Sequence, residues 1–122
     1  MEVPTTAAPF VLPAVPAEPD LVAKYFRGLG DATRVRILQL LDEQGEMSVG
    51  EVVAAVRESQ PKVSNHLSCL RWCGFVESRR EGRTVRYRVA DARVSDLLAL
   101  GRSLLADNAE HVAACNRISE SG

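Results

Sequence analysis

The chain has 122 residues, of which 46% are hydrophobic and 25% charged, the composition of a single globular domain. No run of about 18 apolar residues is present and prolines interrupt the apolar N-terminus, so we expect no membrane-spanning helix, no export signal and a cytoplasmic location. The net charge of −1 conceals a basic region, because residues 57–93 hold nine Lys and Arg against four Asp and Glu, which favours a polyanion as partner.

Three regions are predicted along the chain. Residues 1–19 carry five of the six prolines and are expected to form an extended, disordered tail. Residues 20–118 are expected to form the folded domain, and residues 119–122 a flexible C-terminus. Four helices are predicted in the domain, each opened by a side chain that can cap it: Asp20, Asp31, Ser48 (with Glu51 in a capping box) and Ser59. Glycines are expected to end three of these helices, at positions 28 and 30, 45 and 74.

A β-hairpin and a long last helix are predicted to follow. Residues 75–80 and 84–89 have strand composition and are joined by a Glu-Gly-Arg turn. The last helix, opened by Asp91, has an apolar side formed by Val94, Leu97, Leu98, Leu104, Leu105 and Val112. This order predicts a mainly α fold with a β-hairpin wing (α+β), a winged helix-turn-helix. The last helix has more apolar surface than so small a domain can bury, so we expect a homodimer through the terminal helices, with packing on its own core as the alternative.

The fourth helix and the hairpin are predicted to contact double-stranded DNA. Side chains early in a recognition helix meet base edges and phosphates, and cations at the tip of a hairpin suit a wing against the DNA backbone. The predicted DNA-contacting residues are Gln60, Lys62, Ser64, Asn65, His66, Arg71, Arg79, Arg80, Arg83 and Arg86. The alternative for the helix residues is that they are simply exposed to solvent, and for His66 it is a structural role. The alternative for the hairpin is a charged edge that prevents aggregation.

The fourth helix also carries two cysteines one turn apart, Cys69 and Cys73. Side chains at i and i+4 have Cβ atoms about 5–6 Å apart, close enough for two thiolates to share one metal ion. The third cysteine, Cys115, follows the main part of the last helix, and dimerisation through that helix could bring it to the partner's recognition helix. Three thiolates suit thiophilic ions such as Cd(II), Pb(II), Hg(II) or As(III), whereas Zn(II) usually takes a fourth ligand, for which His66 is available. The alternative is that the cysteines are small core residues.

Three motifs carry a resemblance to a known family: LGDATRVRILQLL, VSNHLSCLRWCGFV and REGRTVRYRV. Over roughly residues 20–115 they make the chain similar to the ArsR/SmtB family of winged-helix, metal-responsive repressors. The resemblance implies a homodimer that binds its operator without inducer. It also implies that an inducing metal ion releases the operator and switches on a resistance or efflux gene.

Within this family the chain looks closest to the cadmium- and lead-sensing CmtR type. Other metal sites of the family need a Cys-x-Cys pair on the first helix of the helix-turn-helix, Cys or His in the N-terminal arm, or an Asp-x-His pair on the last helices, and these patterns are missing here. The CmtR type pairs a Cys-x-x-x-Cys in the recognition helix with a cysteine from the other subunit, which matches Cys69, Cys73 and Cys115. The resemblance therefore implies Cd(II) or Pb(II) as inducer, with Hg(II) or As(III) as alternatives.

Two other functions stay open. A repressor of the same fold could respond to oxidation of Cys69 or Cys73 without any metal. A winged-helix module could instead bind protein and no DNA, although the basic hairpin argues against it. We do not expect an enzyme, because no orienting group or pocket accompanies the Cys and His of the fourth helix.

Overall fold

The computed structural model describes residues 17–118, so the predicted tail (apart from residues 17–19) and the predicted flexible C-terminus lie outside the described residues. The elements are α1 (Glu18–Gly28), α2 (Ala32–Gln44), β1 (Met47–Ser48), α3 (Val49–Val56), α4 (Gln60–Trp72), β2 (Val76–Glu81), β3 (Thr84–Val89) and α5 (Ala92–Ala114). This arrangement is a winged helix-turn-helix, in which α3 and α4 form the helix-turn-helix and β2 and β3 the wing, and it confirms the predicted fold class. None of the described helices is long and apolar enough to cross a membrane.

Side-chain caps fix where four of the helices begin, as predicted, and the Asp91 carboxylate opens α5 by accepting the Arg93 backbone N–H at 2.8 Å. The Asp31 carboxylate accepts the Arg34 backbone N–H at 3.1 Å and opens α2. Ser48 and Glu51 form a reciprocal capping box at the start of α3. The Ser59 hydroxyl accepts a backbone N–H of the first turn of α4. Each cap satisfies an amide that would otherwise have no partner, and together they set the geometry of the helix-turn-helix.

The start of α1 and the end of α4 differ from the prediction. α1 begins at Glu18, so Asp20 lies in the first turn and does not cap the helix. A proline in the first turn replaces a side-chain cap there, and the acidic residues next to it favour the helix dipole. α4 ends at Trp72 rather than at Gly74, which has φ of +85°. The N–H groups of Gly74 and Phe75 bond back to Arg71 and Leu70, a Schellman motif that turns Phe75 into the core.

A three-stranded antiparallel sheet in the order β1-β3-β2 carries the wing. β1 has only two residues and was not predicted, since so short a segment shows no alternation of polar and apolar side chains. The hairpin of β2 and β3 confirms the predicted one, and its turn contains Gly82 at a φ of +62°. β1 joins the other edge of β3 and ties the wing to the segment between α2 and α3.

The core lies between α2, α3, α4 and the base of the wing. Its buried members are Ile37, Leu38, Leu41, Val52, Val56, Val63, Leu67, Leu70, Phe75, Val76 and Val94. α4 contributes three of them at helical spacing, and this fixes which side of α4 faces outward. α5 contributes only Val94, and much of its apolar side is exposed in the single chain. The alternative that α5 packs along its length on its own core is therefore wrong.

Candidate nucleic-acid interface and thiol site

The N-terminal half of α4 presents a polar surface. Gln60, Lys62 and Asn65 are exposed and Ser64 is half-buried, all close to the start of the helix. The Lys62 ammonium lies 3.3 Å from the Glu58 carboxylate, an exposed pair of small energetic value that leaves the cation accessible. The structure thus brings these four predicted residues together at one end of α4, while their contact with bases or phosphates stays a prediction.

His66 lies on a different side of α4. Its Nδ1 accepts a hydrogen bond from Arg34 Nε at 3.1 Å, and its Nε2 lies 3.9 Å from an Asp31 carboxylate oxygen. Only 15% of the side chain is exposed. The imidazole is therefore engaged in the contact between α2 and α4, as the structural alternative expected, rather than presented outward with the predicted DNA-contacting group.

Arg34, which the sequence analysis missed, joins three helices. Its guanidinium donates to His66 and, through Nη1, to the carbonyl of Gly28 at 3.1 Å, so the end of α1 is tied to α4 through the start of α2. Burial opposes ionisation of Asp31, yet the Arg34 backbone N–H and the nearby His66 lower its pKa overall. In the sequence, the only sign of this role is that Arg34 follows the capping Asp31 by three residues. That spacing does not reveal that its partner is His66, 32 residues away.

We expect Arg34→Met to loosen this junction. The variant keeps an unbranched apolar stem but leaves the Gly28 carbonyl and the His66 imidazole without their donor, which costs about 1–3 kcal/mol of unfolding free energy. Operator affinity falls with it, because α4 loses a contact that orients it. Urea unfolding and DNA-binding anisotropy measure both effects, and Arg36→Met, at an exposed position of the same helix, is the matched control. Equal behaviour of the two variants would show that Arg34 has no such role.

The arginines of the wing differ in their partners. Arg79 and Arg86 both contact the carboxylate of Glu46, Arg79 through two hydrogen bonds of 2.6 and 2.8 Å. The side chains of Arg80 and Arg83 are exposed and form no hydrogen bond or ion pair with another side chain of residues 17–118. Only the latter two therefore present an uncompensated charge. The remaining predicted cation, Arg71, is exposed near the C-terminal end of α4 and is 3.4 Å from the hydroxyl of Ser78.

Cys69 and Cys73 lie together at the C-terminal end of α4. Both are half-buried free thiols, and the Cys73 N–H donates to the Cys69 carbonyl at 3.0 Å. A Cβ atom placed on Gly28 would lie 3.8 Å from the Cys73 Sγ, so this thiol packs against the end of α1. Burial first, and the adjacent Cys69 thiol second, raise the pKa of Cys73 above its usual value. The two thiols lie within hydrogen-bonding reach of each other, while their use as metal ligands stays a prediction.

Cys115 does not join the pair within one chain. It is half-buried at the C-terminal cap of α5. Across residues 17–118, no group of three or more His, Cys, Asp and Glu side chains is placed to hold a metal ion. A site that uses all three predicted thiols therefore requires a second subunit.

A helix-turn-helix with an exposed polar recognition helix and a basic wing defines a winged-helix DNA-binding regulator. A sequence model of the family described as "Bacterial regulatory protein, arsR family" matches residues 31–78. The chain is also 45% identical over 123 aligned positions to the "Probable mercury resistance operon repressor" of Streptomyces lividans, covering 100% of this chain and 98% of that protein. The chain belongs to the ArsR family of transcriptional regulators, and its relatives are regulators rather than enzymes, as predicted.

Two further similar proteins bear on the predicted relationship to the CmtR type. The "HTH-type transcriptional regulator CmtR" of Mycobacterium bovis is 46% identical over 78 residues, 63% of this chain and 64% of that protein. Because the mercury repressor matches along the whole chain, closest kinship with the CmtR type is not confirmed. The solved structure of a homodimeric winged helix-turn-helix DNA-binding domain from Mycobacterium bovis superposes on this chain with a TM-score of 0.66 at 37% sequence identity. The superposition covers 75% of this chain and 83% of that one.

Proposed function

We propose that a homodimer of this chain represses a metal-resistance operon and leaves its operator when a thiophilic metal ion binds to Cys69, Cys73 and Cys115. The observation that carries the proposal is the thiol pair, which sits on the helix that would read DNA and at the opposite end from the exposed polar side chains. Likeness to a probable mercury resistance repressor along the whole chain moves the favoured inducer from Cd(II) or Pb(II) to Hg(II). Cd(II), Pb(II) and As(III) suit the same soft ligands and are tested beside it.

The dimer would form through α5. This helix has 23 residues, about 34 Å at 1.5 Å per residue, and its exposed apolar side chains are Leu100, Leu104, Leu105 and Val112. So continuous an apolar surface is typical of a symmetric contact, and the similar solved domain from Mycobacterium bovis is described as homodimeric. Cys115 follows Leu104 by 11 residues, about three turns of 3.6, so it lies on this same side of the helix. Dimerisation through α5 therefore carries each Cys115 toward the partner subunit.

The thiols would act on DNA binding through the position of α4. Cys69 and Cys73 are fixed to the C-terminal end of the helix whose N-terminal end carries Gln60 and Asn65. If these thiolates bind the same metal ion as Cys115 of the partner subunit, α4 is drawn toward that subunit. The distance between the two recognition helices then changes. Linkage requires the free dimer to hold the metal more tightly than the DNA-bound dimer. A coupling of about 3 kcal/mol weakens operator binding roughly 150-fold.

Metal uptake is expected to strengthen as pH rises. Because its pKa is raised, the Cys73 thiol is protonated at neutral pH and must lose its proton before it can bind a metal. Higher pH removes the competing proton, so the apparent affinity for Cd(II) increases by up to about tenfold per pH unit for each such thiol. Trp72 is the only tryptophan and adjoins Cys73, so its fluorescence reports occupancy. Cys73→Ser should reduce the steepness by about one proton, whereas a pH-independent affinity would contradict the assignment.

The raised pKa argues against Cys73 as a cysteine that senses oxidation. Peroxide reacts with the thiolate rather than the thiol, and a sensor cysteine is usually accessible and has a lowered pKa. Cys73 has the opposite character, since it is half-buried and its pKa is raised.

A reporter gene placed behind the chain's own promoter tests the proposed function in cells. We expect low expression with the wild-type protein, induction by Hg(II) at sub-toxic concentration, and constitutive expression when the protein is absent. Repression that no soft metal relieves would contradict a metal-responsive function, and expression that is independent of the protein would contradict repression.

A further inference from the structure

The arginines of the wing lie on two different faces of the β2–β3 hairpin. Successive residues of a strand point to opposite faces, whereas directly paired residues of neighbouring strands share a face. Arg79 pairs with Arg86, and Arg80 pairs with Val85. Arg79 and Arg86 therefore share one face, which we call the braced face, and the adjacent Arg80 points to the other.

Arg79 and Arg86 lie directly opposite each other on the braced face and require a counter-charge, whereas Arg88 on the same face is paired with Glu77. Like charges directly opposite each other in a hairpin destabilise it. Glu46 supplies the counter-charge: its carboxylate accepts hydrogen bonds from Arg79 Nε at 2.8 Å and Nη2 at 2.6 Å, and lies 3.3 Å from Arg86 Nε. The carbonyl oxygen of Glu46 also accepts from Arg86 Nη2 at 3.3 Å. Because Glu46 directly precedes β1, these contacts tie one edge of the sheet to the other across β3.

Two more carboxylates complete the neutralisation of the braced face. Glu51 lies 3.4 Å from Arg86, and Glu81 lies 3.7 Å from Arg79 and 3.9 Å from Arg86. With Glu46, three carboxylates face two guanidinium groups, a net charge of −1. The hydrogen bonds from Arg79 hold the pKa of Glu46 below its usual value, so its carboxylate is ionised at neutral pH. A DNA phosphate at this face would have to displace a bidentate carboxylate that remains nearby and repels it.

We propose that Arg79 and Arg86 are positioning residues braced by Glu46, and that Arg80 and Arg83 make the wing's contacts with DNA phosphates. Arg80 projects from the opposite face, and Arg83 follows Gly82 in the turn at the tip. Neither has an ionic partner within the described part of the chain. The inference rests on the proposed operator binding and narrows the sequence-based prediction, which gave the same role to all four arginines.

Arg79 and Arg80 form a matched pair of neighbours for the test. Anisotropy of a labelled promoter fragment gives the slope of log K against log salt concentration for the wild type, Arg79→Gln, Arg80→Gln and Arg83→Gln. Each of Arg80→Gln and Arg83→Gln removes one phosphate contact from each subunit of the dimer, so each should reduce the magnitude of the slope by about 1.8 and leave the thermal midpoint unchanged. Arg79→Gln should leave the slope unchanged and lower the midpoint by on the order of 2–5 °C.

Glu46→Gln provides an independent readout. Release of Arg79 and Arg86 should steepen the slope, and the thermal midpoint should fall. The double variant Glu46→Gln with Arg79→Gln should lose less stability than the sum of the single variants, because both remove the same contact. The inference is overturned if Arg79→Gln reduces the slope as much as Arg80→Gln does, or if Glu46→Gln changes neither quantity. A wild-type protein without salt-dependent operator binding would instead overturn the proposed function itself.

Discussion

Serine at both Cys69 and Cys73 is expected to abolish the response to metal while operator binding by the metal-free protein stays within about threefold of the wild type. Hydroxyl groups do not replace thiolates as ligands of soft ions, so the metal can no longer bias the dimer against DNA. Because both side chains are half-buried and serine is nearly isosteric, the fold should persist. A wild-type weakening of operator binding of about 150-fold would then drop to less than about threefold.

Two further variants serve as the control and as a test of the third thiol. Ser68→Ala changes an exposed hydroxyl on the same helix and should respond as the wild type does. Cys115→Ser should lose the response as well. A mixed dimer that pairs a Cys115→Ser subunit with a Cys69→Ser subunit should retain one intact site, because the two lost thiols belong to the same shared site. If the double serine variant still leaves its operator when metal is added, the thiol pair is not the sensor.

A charge in the middle of the exposed face of α5 is expected to have the second large effect. Leu104 is 57% exposed in the single chain and would be buried in the proposed dimer, where an unpaired carboxylate is strongly unfavourable. Leu104→Glu should therefore be monomeric. A monomer engages only one half-site, and loss of the linked second contact weakens operator binding by about 10²–10⁴-fold.

Ala106→Glu is the matched control, since this residue lies on the opposite side of α5 and is exposed. It should remain dimeric and bind the operator as the wild type does. Analytical ultracentrifugation gives the oligomeric state and anisotropy gives the affinity. A dimeric Leu104→Glu, or a monomeric one with unchanged affinity, would contradict the dimer through α5.

Local signals were sufficient to predict most of the fold. Asp31, Ser48 and Ser59 cap helices because each satisfies an amide only three residues away, and such short spacings are visible in the sequence. The hairpin was equally visible, since strand composition and a glycine turn are local. The start of α1 was misplaced because no side chain caps it. β1 was missed because two residues become a strand only through pairing with β3.

The site could be predicted only in part, for a related reason. The spacing of Cys69 and Cys73 indicates one helix face, and the structure brings the two thiols together. The partners of the charged residues are not local: His66 meets an arginine 32 residues away, and Arg79 meets Glu46 33 residues away. Those contacts distinguish cations that are paired within the protein from cations that remain available to bind DNA phosphates. Composition alone counts both kinds alike.

The central claim is that metal and operator compete through one dimer, and fluorescence anisotropy of the reduced, metal-free protein on its own promoter DNA tests it most directly. Hg(II), Cd(II), Pb(II), As(III) and Zn(II) are added separately after the free thiols have been counted. We expect tight, salt-sensitive binding that Hg(II) and one or more of the other soft ions release, while Zn(II) does not. Tight binding that none of these ions disturbs would contradict the claim.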